Sequence, residues 1–67
     1  MKGTNPELGT KLKKAREAAG LTQAQVAAAA GLHVNYYAVI ERGGANPSVN
    51  KVQSIMKVLN IKSLDLS

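Results

Sequence analysis

The sequence contains no cysteine, phenylalanine or tryptophan, and only two prolines. Without cysteine, disulfide bonds and thiolate metal sites are excluded. Because the only aromatic residues are two tyrosines, the core must be built from Leu, Ile, Val and Ala, which suits closely packed helices. One histidine and four Asp and Glu residues offer few metal ligands, so we expect neither a metal nor a cofactor.

Long hydrophobic runs are also missing. No apolar stretch approaches the ~20 residues that a membrane span needs, and none follows Lys2 as in a signal peptide, so no membrane partner is expected. A chain of 67 residues has room for one domain, and its 45% hydrophobic content argues against disorder.

Charge of one sign is in excess. Nine Lys and Arg residues against four Asp and Glu give a formal net charge of +5. So basic a balance in a short chain favours a polyanionic partner, although solubility alone would also account for it.

The pattern along the chain predicts a flexible lead-in over residues 1–5 and one helical domain over residues 6–67. Asn5, Pro6 and Glu7 form a helix-start signal, and Gly20 ends this first helix as a left-handed cap. Thr22 with Gln25 forms a capping box for a second helix, which Gly31 ends.

A third helix is predicted over residues 34–42, with His33 as a weak cap and with Tyr37 and Ile40 facing the core. Ser48 caps a fourth helix, and Ser63 caps a short last turn. The residues expected on the outward face of the third helix are Val34, Asn35, Ala38, Val39 and Arg42. Those expected on the apolar face of the fourth are Val49, Val52, Ile55, Met56 and Leu59.

The order and spacing of several short motifs resemble the lambda-repressor/Cro-like family, also called the XRE family. The motifs are Gly20-Leu21-Thr22-Gln23, Gly31-Leu32, Ile40-Glu41-Arg42-Gly43 and Asn46-Pro47-Ser48. Each is weak alone, but in this order they form a strong signal, and with Leu8, Leu12 and Arg16 before them the resemblance covers about residues 8 to 66. The resemblance implies an all-α, five-helix domain with a central helix-turn-helix, whose third helix lies in the major groove of double-stranded DNA.

Residue roles follow from the resemblance at matching positions. Arg16 and Glu41 correspond to a structural ion pair. Residues that correspond to base contacts are Val34, Asn35 and Val39. Residues that correspond to contacts with the sugar–phosphate backbone are Gln23, Arg42, Asn46 and Ser48. Apart from the resemblance, the Tyr36 hydroxyl could bind a phosphate or lie beside a sugar, and Lys51, near the start of the fourth helix, is a further phosphate candidate.

Plainer interpretations compete with some of these roles. Gln23 is also a good helix former, and Arg42 at a helix end also suits the helix dipole. Three lysines on the first helix are better explained as a solvated face than as a phosphate patch: Lys11, Lys13 and Lys14.

The outward face of the third helix departs from many relatives because it has no Lys or Gln and no Arg before its last residue. Without an Arg fork for guanine, either the DNA site is A/T-leaning and is read partly by shape, or this face binds protein.

The leading functional hypothesis is a sequence-specific transcriptional regulator, a repressor, that acts as a homodimer in a prokaryotic or phage cytoplasm. Candidate dimer residues, for which core packing is the competing use, are Val58, Ile61, Leu64 and Leu66. The alternative is an antitoxin-like or other protein-binding module, which the apolar outward face and an exposed Tyr36 would serve. An enzyme is not expected, because no nucleophile–base pair, phosphate loop or carboxylate pair is found at catalytic spacing.

Overall fold

The computed structural model describes residues 5–61 as four helices joined by short turns. They are α1 (Pro6–Ala18), α2 (Gln23–Ala30), α3 (Val34–Glu41) and α4 (Val49–Val58). The all-α class is confirmed. Of the five predicted helices, four lie in the described part of the chain; the fifth was placed after Ser63, outside it.

Two hydrogen bonds of Asn5, one through its side chain and one through its backbone, hold the start of α1. Its Oδ1 accepts from the Leu8 backbone N–H at 3.2 Å, and its own N–H donates to the Gly43 carbonyl at 3.2 Å. The prediction that Asn5 caps the start of this helix is therefore confirmed, because its side chain pairs one of the N–H groups that a helix start leaves without a partner. Residues 1–4 lie outside the described residues.

The second helix begins and ends with the signals found in the sequence. Thr22 Oγ1 accepts from the Gln25 N–H at 3.0 Å, while Gln25 Oε1 accepts from the Thr22 N–H at 2.8 Å. Gly31 follows the helix with φ of 75°, a left-handed conformation that a residue without Cβ adopts freely.

The third and fourth helices begin with side-chain caps at His33 and Ser48. His33 Nδ1 accepts from the Asn35 N–H at 3.1 Å, and Ser48 Oγ accepts from the Lys51 N–H at 3.3 Å. Arg42 was predicted as the last residue of the third helix; it is the C-cap, just beyond Glu41.

The core lies where α2 packs against α3 and α4 and where α3 packs against α1. Its fully buried large side chains are Leu12, Val26, Tyr37, Ile40 and Ile55. Val49, predicted on the core face of the fourth helix, is instead 71% exposed, since it is the first residue of α4 and α4 turns its later residues inward.

Gly9 sets the close approach of α1 to α3. A Cβ at this position would collide with the backbone carbonyls of Ile40 and Glu41. Because backbone cannot swing aside as a side chain can, only glycine lets the two helices lie this close, at the end of α3 that carries Glu41.

In the described residues, every helix is too short or too polar to cross a bilayer.

Candidate nucleic-acid interface

The two sides of α3 have opposite surroundings. Tyr37, Ile40 and Glu41 are buried against the body, whereas Asn35 is exposed and Val34 is 36% exposed. Within residues 5–61 neither side chain of this outward pair packs against the core, so both are accessible to a partner.

Two residues assigned to DNA contact are less accessible than predicted. Tyr36 packs half-buried against the core, which corrects the expectation of an exposed ring. Val39 is also half-buried, and Gly44 lies against its side chain: a Cβ at Gly44 would be 3.2 Å from Val39 Cγ1.

The inward end of α3 contains an ion pair, and it joins the two residues that the sequence predicted to pair. Arg16 Nε lies 2.6 Å from Glu41 Oε2, and Arg16 Nη2 donates to Glu41 Oε1 at 3.2 Å. The Glu41 side chain is only 2% exposed and that of Arg16 12%. A two-pronged contact of this kind fixes direction as well as distance, so it locks the end of α3 onto α1.

Two further hydrogen bonds extend the ion pair to the start of the helix-turn-helix. Arg16 Nη1 donates to the Leu21 carbonyl at 2.8 Å, and Gln23 Nε2 donates to Glu41 Oε1 at 2.9 Å. The Gln23 contact was missed in the sequence analysis, which assigned this amide to DNA or to helix propensity. No short-range sequence pattern predicts this hydrogen bond, because 18 residues separate the partners.

Burial and hydrogen bonding oppose each other at Glu41. Burial acts to raise the pKa of its carboxyl, but the hydrogen bonds from Arg16 and Gln23, together with the nearby Tyr37 hydroxyl, outweigh burial and hold that pKa below its ordinary value. The same contact with Glu41 raises the pKa of Arg16. Both side chains are therefore charged in the folded protein near neutral pH.

Tyr37 lies in the core beside this cluster, as its inward position on the third helix predicted. Its ring is fully buried, and its hydroxyl has no hydrogen-bond partner by distance and angle among the described residues. Burial raises the pKa of the phenol. The hydroxyl lies near enough to Glu41 to help lower the pKa of that carboxyl, but it forms no hydrogen bond of good geometry, and burying a hydroxyl in this way is costly.

Four of the residues assigned to DNA phosphates lie in the segment that runs from the C-cap of α3 into the first turn of α4. Arg42, Asn46, Ser48 and Lys51 are all exposed, and the Ser48 hydroxyl already accepts the cap hydrogen bond from the Lys51 backbone. Gln23 lies across the turn, at the start of α2. Gln23 is half-buried and bonded to Glu41, whereas the other four are open to solvent.

The three lysines set apart in the sequence analysis lie on α1. Lys13 and Lys14 are exposed and Lys11 is half-buried. Of the dimer candidates, Val58 and Ile61 are half-buried and pack against the core, while Leu64 and Leu66 lie outside the described residues.

Comparison with known proteins agrees with this geometry. A family model described as helix-turn-helix matches residues 12–66, which is most of the chain. The chain belongs to the XRE family of helix-turn-helix proteins. In broad terms, an XRE-family protein binds DNA and regulates transcription, and this is the function of the chain.

One solved structure is similar along most of its length to this XRE-family chain. It is the restriction-modification controller protein C.AhdI from Aeromonas hydrophila, with a TM-score of 0.82 and 32% sequence identity. The similarity covers 85% of this chain and 86% of that one. Among curated proteins, none matches the chain.

Proposed function

We propose that this protein is a sequence-specific repressor of transcription that inserts α3 into the major groove of double-stranded DNA. One observation carries the proposal: α3 is locked to the body through Glu41 on one side, while its other side presents Asn35 and Val34 without a core role. An α-helix with its side chains is about 10–12 Å across, which fits the major groove, and the eight residues of α3 can extend about 12 Å along it.

Base recognition is assigned to the first turn and the middle of α3. The Asn35 amide suits adenine, to which it can donate and from which it can accept, and the methyl groups of Val34 and Val39 suit thymine. Because no arginine fork is present within α3, the preferred site is A/T-leaning. The half-burial of Val39 makes Asn35 and Val34 the main determinants.

Phosphate binding is assigned to polar and basic residues around that face. Arg42 and Lys51 supply charge on the duplex side, in a chain whose net charge is +5. The other residues assigned to the sugar–phosphate backbone are Gln23, Tyr36, Asn46 and Ser48.

A homodimer completes the proposal. One α3 reads only a few base pairs, and two copies one helical turn apart, ~34–36 Å, read both halves of a palindrome. Val58 and Ile61 support the assembly because both are only half-covered near the end of α4. We place this regulator with DNA in the prokaryotic or phage cytoplasm, without enzymatic activity; the bacterial controller protein to which it is similar supports a regulatory role.

The decisive experiment is selection of bound sequences from a random duplex pool, followed by salt titration of the selected site. A selected A/T-leaning palindrome is expected, with log affinity falling against log salt by about 0.9 for each phosphate contacted. Asn35→Ala should weaken the selected site by roughly 5- to 150-fold and random DNA hardly at all.

Arg42→Ala is the matched control, because its loss should weaken all duplexes alike and flatten the salt slope. If Asn35→Ala and Arg42→Ala act equally on selected and random DNA, α3 is not the reading element. If no duplex is retained from the pool, the protein-binding alternative takes precedence.

A further inference from the structure

The amide of Gln23 can adopt only one orientation in this fold. A carboxylate accepts hydrogen bonds and cannot donate them, so the atom of Gln23 that lies 2.9 Å from Glu41 Oε1 must be the amide nitrogen. That nitrogen carries two N–H groups, and Glu41 occupies one of them. Within residues 5–61 the second donor of this half-buried amide has no partner, and the amide oxygen is turned away from the carboxylate.

We propose that Glu41 is a positioning residue for phosphate binding, acting through Gln23. The carboxylate holds the side-chain amide so that the remaining N–H is already presented to a DNA phosphate at the start of α2. This inference rests on the proposed role of Gln23 as a phosphate contact. It adds a DNA-binding task to a residue otherwise assigned only to a structural ion pair.

The geometry explains why a buried carboxylate can serve at a site for an anion. Arg16 binds both oxygens of Glu41, at 2.6 and 3.2 Å, so the negative charge is neutralised before a phosphate approaches. An unpaired carboxylate at this place would repel the backbone of DNA.

The same contact links phosphate binding to base reading. Glu41 is the last residue of α3 and Gln23 the first of α2, so their hydrogen bond spans the two ends of the helix-turn-helix. The distance between the phosphate-binding amide and the reading helix is thereby set before binding, and less ordering is needed when the complex forms.

The first test observes the Gln23 side-chain amide by NMR in the unmodified chain, during titration with a random-sequence duplex. One amide proton, bonded to Glu41, is expected to keep its chemical shift, and the other is expected to move as phosphate binds. If the Glu41-bonded proton instead loses its shift on binding, the amide has left the carboxylate and the positioning role is refuted.

The second test is a double-mutant cycle with duplex affinity as its readout. Gln23→Ala should weaken all duplexes about tenfold, the usual effect of a hydrogen bond to a charged group. In a Glu41→Gln background, where the orientation of Gln23 is no longer imposed, the same change should cost about threefold or less. Equal penalties in both backgrounds would mean that the residues act independently.

Circular dichroism identifies a temperature at which every variant is folded. Affinities measured at that temperature are then independent of differences in stability. A merely structural Glu41 would lower the unfolding temperature of Glu41→Gln and leave duplex affinity and the Gln23 penalty unchanged. If Glu41→Gln does not fold, the NMR titration still decides the question on the intact chain.

The outcomes also separate this inference from the proposed function. If Gln23→Ala has no effect on affinity while Arg42→Ala weakens binding, the positioning role fails and DNA recognition stands. If the unmodified chain binds no duplex, the proposed function itself fails.

Discussion

The inward and outward sides of α3 differ in what each side chain contacts. Inward, Glu41 makes three side-chain hydrogen bonds to α1 and α2, and Ile40 is fully buried. Outward, Asn35 is exposed and its side chain has no hydrogen bond within the described residues. The two sides of this short helix thus have different tasks. The inward side fixes the position of the helix, and the outward side remains accessible to the partner.

Removing the buried carboxylate should have the largest effect on stability. Glu41→Ala leaves the Arg16 guanidinium shielded and unpaired, and we expect a loss of about 3–5 kcal/mol in the free energy of unfolding. Urea denaturation measures it. Glu17→Ala, which removes an exposed carboxylate from α1, is the control. A loss no larger than that of the control would mean that the cluster contributes little to the fold.

Gly9→Ala should be the next most damaging change. Its Cβ meets the backbone carbonyls at the end of α3, so α1 and α3 must separate, at a cost of about 1–3 kcal/mol. Thermal unfolding reports this cost, and Thr10→Ala at the neighbouring exposed position serves as the reference. Should Gly9→Ala prove as stable as the parent chain, the close approach of the helices is not needed.

Acid should weaken the inward side through Glu41. Because the folded pKa of this carboxyl lies below its unfolded value of about 4.3, the unfolded chain binds more protons, and stability falls as pH falls. The contribution is fully present above that value and is lost as pH passes through the folded pKa. Urea midpoints between pH 6 and pH 3 should therefore drop more for the parent than for Glu41→Gln; parallel curves would contradict this.

Tyr37→Phe should stabilise the protein by about 1 kcal/mol, because it removes a buried hydroxyl that has no partner. The parent should also lose stability as pH rises above about 10, where the unfolded phenol ionises and the folded phenol resists ionisation. The variant should lack that alkaline loss. A destabilised Tyr37→Phe would mean that the hydroxyl is bonded to the neighbouring Arg16–Glu41 cluster.

The outward side should show the smallest effect on stability. Asn35→Ala is expected to change the free energy of unfolding by no more than about 0.5 kcal/mol, since only its backbone takes part in the cap. The same urea experiment measures this, beside the loss of affinity for selected DNA. An outward variant as unstable as Glu41→Ala would abolish the contrast between the two sides.

Much of the fold could be predicted from local signals. Thr22 with Gln25, Gly31 and Ser48 fix helix boundaries through contacts a few residues apart, and each is found where the sequence places it. Tyr36 and Val49 were predicted less well, because helical spacing tells which residues share a face but not how far the neighbouring helices extend over it.

The candidate site was predictable to a lesser degree. The pairing of Arg16 with Glu41 entered through the resemblance, and the structure contains it. The third member, Gln23, has no pattern of its own, because its partner is 18 residues away and is reached only when α2 packs against α3.

The order of amino acids alone determined the four helices, their caps and the surplus of positive charge, since these depend on neighbours along the chain and on composition. Tertiary structure decided which side of α3 is covered, that Glu41 is shared between Arg16 and Gln23, and that Tyr37 buries its hydroxyl unpaired. These features depend on the distances between helices, which packing sets and local propensity does not.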